Sequence, residues 1–155
     1  MVRTFRLVLA IWLLPLFAGH AAQTHLPAPS TWKLNLAETD FGGRSSVKSE
    51  FFTVLIDTPQ WMKFTDKMTD ASGKVWKASW SGPADGTLHP MTGSPGEQLS
   101  DNAAEDVEVI TSPDGSAQTC HFSLSANKKK FSESCITVTK DGKKSSQFLV
   151  YDRIK

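Results

Sequence analysis

The sequence predicts an all-β domain: an antiparallel up-and-down meander of about eight to ten strands. A closed barrel is the first expectation and a two-sheet sandwich the alternative. Three observations carry this. Turn-forming clusters recur at roughly 13- to 14-residue intervals: Asp57-Thr58-Pro59, Asp70-Ala71-Ser72-Gly73, Pro83-Ala84-Asp85-Gly86, Pro113-Asp114-Gly115, Ala126-Asn127-Lys128 and Asp141-Gly142. The segments between them are rich in Val, Ile, Thr, Phe and Trp, and none sustains a helical i, i+3, i+4, i+7 apolar stripe. Several alternate apolar and polar residues with period two, as a strand with one dry and one wet face must. Closing such a sheet removes its exposed edges, and about eight strands leave an interior that side chains nearly fill.

Taken in order, Trp32, Leu34 and Leu36 share a face opposite Lys33 and Asn35. Phe51 to Ile56 is apolar on both faces and reads as a doubly covered strand. Met62, Phe64 and Met68 share a face interrupted by Asp66, with Lys63, Thr65 and Lys67 opposite. Trp76, Ala78 and Trp80 oppose Val75, Lys77, Ser79 and Ser81, and Val107 and Val109 oppose Asp106 and Glu108. A double gap in the turn spacing, between Asp85 and Asp114, holds Pro90, Thr92-Gly93 and Pro95-Gly96, so strands there are short or irregular.

The chain has 155 residues, 39% hydrophobic and 21% charged, which suits one folded domain. Residues 1–21 have the parts of a secretory signal: Arg3 and Arg6, then the apolar run Leu7 to Phe17, then small residues up to Ala21 and Ala22. The run is too short to span a bilayer of roughly 30 Å as a helix. No cysteine near the site permits lipidation, and no later stretch is apolar enough for a membrane span. The expectation is a protein exported to the periplasm or beyond the cell, soluble after cleavage, with residues 22–30 as an extended leader and 31–155 as one barrel. Removing the signal leaves 15 basic against 16 acidic residues, a balance that points away from nucleic acid.

The run Thr31-Trp32-Lys33-Leu34-Asn35-Leu36 after a signal resembles the opening of a bacterial family of small exported lipocalin-like proteins, largely uncharacterised. The likeness continues through Asp70-Ala71-Ser72-Gly73-Lys74, Asp85-Gly86, Pro90, Thr92-Gly93-Ser94-Pro95 and Val150-Tyr151-Asp152. It covers most of residues 31–155 and rests on turn and strand patterns. It implies a small barrel, with ligand binding by analogy. The chain departs from the family at Asn127-Lys128, where Asp-Gly is usual, at Glu133, where an apolar residue is usual, and in its two cysteines.

Cys120 and Cys135 lie on consecutive expected strands of an exported chain, where a disulfide is the default. A two-residue turn at Asn127-Lys128, or a four-residue loop Ala126 to Lys129, sets them opposite one another. A three-residue loop with a bulge turns them to opposite faces. A redox-active pair lacks Cys-x-x-Cys spacing.

Catalytic signals are few, and the reading leans away from an enzyme without deciding it. Cys120 and His121, adjacent on a strand, point to opposite faces and cannot act as nucleophile and base. His25, His89 and His121 form no metal-ligand motif, so neither a metal nor another cofactor is implied. Gly93-Ser94-Pro95-Gly96 reads as a turn. Asp66 and Glu133, if inward, are paired carboxylates of the kind used in sugar chemistry; the plainer reading places each outward or at a strand edge. Lys128-Lys129-Lys130 reads as a solvated hairpin tip.

The positive functional hint is aromatic. Trp76 and Trp80 flank small Ala78 on one face and leave a recess for a ligand, unless the rings simply fill the core. The first reading is therefore a non-catalytic exported binding protein holding a small, mostly apolar ligand near Trp76, Trp80, Trp61 and Phe64. The alternatives are an envelope interaction module with a solidly packed barrel and loops between Gly82 and Ala104 as its docking surface, and a small hydrolase or isomerase using inward carboxylates.

Overall fold

The computed structural model describes residues 25–43 and 47–155; the expected export segment and cleavage site, residues 1–22, lie outside these residues. Among the described residues there are ten strands and no helix: β1 (Ser30–Leu34), β2 (Val47–Asp57), β3 (Trp61–Asp70), β4 (Val75–Pro83), β5 (His89–Pro90), β6 (Gln98–Asn102), β7 (Val107–Thr111), β8 (Ala117–Leu124), β9 (Lys130–Val138) and β10 (Lys144–Arg153). Every pairing is antiparallel, and the spatial order is β4-β3-β2-β1-β10-β9-β8-β7-β6-β5.

β1 thus joins the first and last long strands, and only the seam between β4 and β5–β6 remains. Two backbone hydrogen bonds of 2.9 Å between Ser79 and Thr92, with a further bridge between Asp85 and Asn102, draw that seam together. The result is a nearly closed barrel rather than a sandwich. Gly93 makes the seam possible. Its φ of +87° belongs to the left-handed region, and a Cβ there would lie 2.1 Å from the Lys77 carbonyl oxygen. The proline-rich double gap holds the shortest strand, β5, and the irregular loop 91–97 that follows it, in keeping with the missing donors of proline.

The inner face is built by parity along each strand. Trp32, Phe52, Val54, Phe64, Phe131 and Tyr151 make its buried centre. Phe131 stacks on Tyr151 with centroids 4.5 Å apart, and Trp32 meets Phe131 edge-on at 5.0 Å. The buried indole of Trp32 donates to Ser30 Oγ at 2.7 Å, so its one polar atom is satisfied.

Three expectations are corrected. Phe51 to Ile56 is not doubly covered: Phe52 and Val54 face in, while Leu55 and Ile56 are exposed and the strand is irregular between Val54 and Ile56. On β7 the faces are inverted, because Glu108 is buried at 8% exposure and Val107 and Val109 are only partly covered. Leu36 falls beyond β1 and is exposed.

The leader also does more than lead. Ser30 already belongs to β1, and Leu26 is in the core. Its N–H donates to Asp57 Oδ2 at 2.6 Å, beside a 2.8 Å contact between His25 Nδ1 and Asp57 Oδ1. This segment stops one end of the barrel.

Cys120 and Cys135 face each other across β8 and β9 and are bonded. Ser125 N–H bonds the Lys130 carbonyl, which leaves the four-residue loop Ala126 to Lys129 and the register that such a loop allows. Lys128 takes the positive φ, 54°, that this loop requires.

Candidate functional site

The barrel's other end is open. The β3–β4, β7–β8 and β9–β10 hairpins and the loop 91–97 surround a mouth of about 570 Å³, whose wall includes Met68, Trp76, Met91, Pro95, Ile110 and Pro113. Below it lies an inner chamber of about 200 Å³. Asp66, Met91, Ile110 and Gln118 line both spaces, so the mouth leads into the chamber. At the stopped end only about 30 Å³ remains, beneath His25 and Leu26.

The chamber's distinguishing chemistry is acidic. Glu50 from β2, Asp66 from β3, Glu108 from β7 and Glu133 from β9 all reach it, with Tyr151 from β10, and among the described residues no lysine, arginine or histidine lines it. Each carboxyl shares strand parity with core residues: Glu50 with Phe52, Asp66 with Phe64, Glu108 with Ile110, Glu133 with Phe131. The plainer outward reading of Asp66 and Glu133 is therefore corrected. Glu50 and Glu108 were missed, Glu50 because the apolar run beside it drew the eye, Glu108 because the valines flanking it were read as the dry face. Parity with Phe52 and Ile110 was the signal that could have found them.

Burial governs these groups. It pushes Glu133 up to about 8, helped by the charges of Glu50 and Asp66, and Asp66 up to about 7, helped by Glu50. Glu108 stands well above the usual carboxylate range for the same reason, with Glu133 the leading charge against it. Burial raises Glu50 as well, opposed by the Tyr151 hydroxyl, which donates to Glu50 Oε1 at 2.6 Å. Tyr151 is itself raised well above 10 by burial and by the acids around it. Deeper still, burial lifts Asp101 to about 6.

Two polar atoms here have no hydrogen-bond partner among the described residues. Asp66 Oδ1 and Gln118 Nε2 are buried without a hydrogen bond, and both residues stand where mouth meets chamber. Buried polar groups are satisfied in the great majority of cases, by protein or by water, so these two atoms turn to whatever fills the junction.

The expected aromatic residues separate. Phe64 lines the chamber and Trp76 the mouth. Trp80 is buried behind them, stacked on Phe64 at 6.2 Å and donating to the His89 carbonyl at 3.3 Å. Trp61 is corrected: it stands on the outer face, exposed, with its indole donating to Ser81 Oγ at 3.1 Å, because its parity is opposite to that of Met62 and Phe64. Lys74 sits over the Trp76 ring, 3.7 Å from its centroid. The Gly93 to Pro95 turn also forms part of the mouth.

Among the described residues the one cluster with metal-ligand spacing is Cys120, Glu133 and Cys135, and its two sulfurs are bonded to each other. It therefore offers a single carboxyl and does not fit a resident metal. Among the described residues no helix is long and apolar enough to cross a membrane. The disulfide accords with an oxidising compartment. Compared with protein-family models and with curated proteins, the chain matches none.

Proposed function

We propose that this chain is an exported binding barrel that admits a small ligand through its open end. The ligand's apolar body rests in the mouth against Trp76, Met68, Met91 and Ile110, and its polar end enters the chamber. One observation carries this reading: a mouth continuous with an inner chamber, with orphaned Asp66 and Gln118 atoms at their junction. The resemblance to exported lipocalin-like proteins points the same way by analogy. An engineered cavity of about 150 Å³ takes up benzene, so a chamber of about 200 Å³ accepts a group of similar size. Removing about 100 Å² of apolar surface from water, counted over ligand and mouth together, supplies ~2.5 kcal/mol.

Because an inner chamber of about 200 Å³ departs from a solid interior, the packed interaction module is the weaker alternative. A small hydrolase or isomerase keeps one observation in its favour, two inward acids raised to about 7 and about 8, close to working pH. Turnover of any ester or glycoside that disappears in both Asp66→Asn and Glu133→Gln would establish it.

The binding reading is tested by screening lipids, aromatic compounds and sugars by thermal shift and tryptophan emission. A hit that shields Trp76 from acrylamide supports it, and a screen in which nothing stabilises the chain removes its support.

A further inference from the structure

We infer that the inner chamber selects its ligand by charge: it takes an organic cation, an ammonium or amidinium group on a small apolar body, with the carboxyls of Glu50, Asp66, Glu108 and Glu133 as its receptors. The inference rests on the binding reading above and specifies the class of ligand.

Glu108 supplies the firmest argument. It is more than nine-tenths buried, it reaches the chamber, and it holds no hydrogen bond among the described residues. Glu133 likewise has none, and Asp66 presents an orphaned acceptor. A wholly apolar ligand would seal these groups from water without pairing them, at a cost of roughly 1–3 kcal/mol for each. An anion would be repelled by every one of these acids that has lost its proton. A cation with N–H donors gives the carboxyls what they lack.

The spread of the acids then separates two kinds of cation. A divalent metal needs several oxygens converging on one point. Among the described residues no three carboxyls converge within 4.8 Å; the single cluster that does draws on the bonded sulfurs. Carboxyls arriving from β2, β3, β7 and β9 instead surround a space large enough for a group of several atoms. At the entrance the Lys74 ammonium lies over one face of the Trp76 ring, 3.7 Å from its centroid, so the selection by charge is made by the acids inside and not by this ring.

Binding has a proton balance. With no cation inside, burial favours the protonated acids; when an ammonium group enters, its N–H donors take the place of acid protons, which leave to solvent. The groups that set this balance are Glu50 on β2, Asp66 on β3, Glu108 on β7, Glu133 on β9 and Tyr151 on β10, with neutral Gln118 and Gln147 between them. Asp101 and Asp57, with His25 on Asp57, act on Glu108 from the stopped end, and Lys77 stands at the mouth.

The test uses three probes of one shape, 2-phenylethylamine, 2-phenylethanol and phenylacetate, with calcium chloride as the metal, titrated calorimetrically into the chain purified after export. The amine is expected to bind about tenfold tighter than the alcohol, as one or two hydrogen bonds to charged acceptors provide. Its affinity should rise about tenfold between pH 5.5 and pH 8.5, with protons released, while that of the alcohol stays level. Asp66→Asn combined with Glu133→Gln should abolish the preference, bringing the affinity of the amine down to that of the alcohol in the same variant. Should that variant not fold, the two pH values on the unaltered chain decide the matter.

Equal binding of amine and alcohol overturns the charge selection and leaves the binding barrel standing. Binding of calcium without the amine overturns it in favour of a metal. If no organic probe binds at millimolar concentration, the binding reading fails along with this one.

Discussion

Raising the pH from 5 to 9 should weaken this fold. In the unfolded chain a glutamate or aspartate loses its proton near pH 4, whereas the fold holds that of Glu133 to about 8 and that of Asp66 to about 7. Between those limits the folded chain binds more protons than the unfolded one, so stability falls as pH climbs. The favourable contribution is complete below about pH 4 and gone once pH has passed through 7 to 8. A tenfold difference in proton affinity corresponds to ~1.4 kcal/mol, so Glu133, moved from 4.5 to about 8, bounds its own share at ~5 kcal/mol. Asp66, moved from 3.8 to about 7, bounds its share at ~4 kcal/mol. The two share one set of repulsions, and water can follow the charge through the open mouth, so ~4 kcal/mol is the expected total.

For a domain of this size 1 kcal/mol is worth roughly 3 °C, which makes the fall in Tm about 12 °C. Thermal unfolding of the unaltered chain and of Glu133→Gln at pH 5, 7 and 9 measures it. At pH 5 the two should melt alike, since glutamine replaces a neutral acid of the same shape; at pH 9 the variant should be the more stable by ~2 kcal/mol. The turn carboxyls Asp70, Asp85, Asp114 and Asp141 are held low by the hydroxyls of Ser72, Thr87, Ser116 and Thr139. Their contribution is lost only as pH drops below the ordinary carboxylate range, outside this window. A Tm that is level or rising from pH 5 to 9, or a variant whose advantage is the same at both ends, refutes the reasoning.

Other perturbations probe the remaining parts. Replacing both Cys120 and Cys135 by alanine opens a link across 15 residues and should cost ~3 kcal/mol, read from urea midpoints. Gly93→Ala forces a Cβ onto the Lys77 carbonyl; a loss of ~1–3 kcal/mol is expected, with faster hydrogen exchange at the Ser79 and Thr92 amides that hold the seam. Asp57→Ala leaves the Leu26 N–H without its acceptor, costing ~1–3 kcal/mol, and limited proteolysis should then cut residues 25–29 sooner. Trp61 and Trp76 are similarly exposed while Trp32 and Trp80 are buried, so shielding from acrylamide by a bound ligand should survive Trp61→Phe and vanish in Trp76→Phe.

What could be read in the sequence was local. Asp57-Thr58-Pro59, Asp70 to Gly73 and Asp141-Gly142 announce reversals because their backbone and side-chain chemistry favours turns in any setting. Period-two order around Phe64 and around Trp80 then assigns a face to each residue without knowledge of what covers it. The cysteine pairing followed from the same counting once a loop length was chosen. The acid chamber was only half visible: Asp66 interrupts an apolar face and so stands out, whereas Glu108 sits among valines that make the wrong face look dry.

The strand count, the turns and the possible facing of Cys120 and Cys135 were thus decided by the chain itself, since each depends on neighbours a few residues apart. Which face of β7 points inward, which end Leu26 stops, and the meeting of Glu50, Asp66, Glu108 and Glu133 in one space were decided only when the barrel closed. Those four residues come from four strands, and nothing short of the curvature that brings the strands around one axis sets their carboxyls against each other, out of water, and so fixes how tightly each keeps its proton.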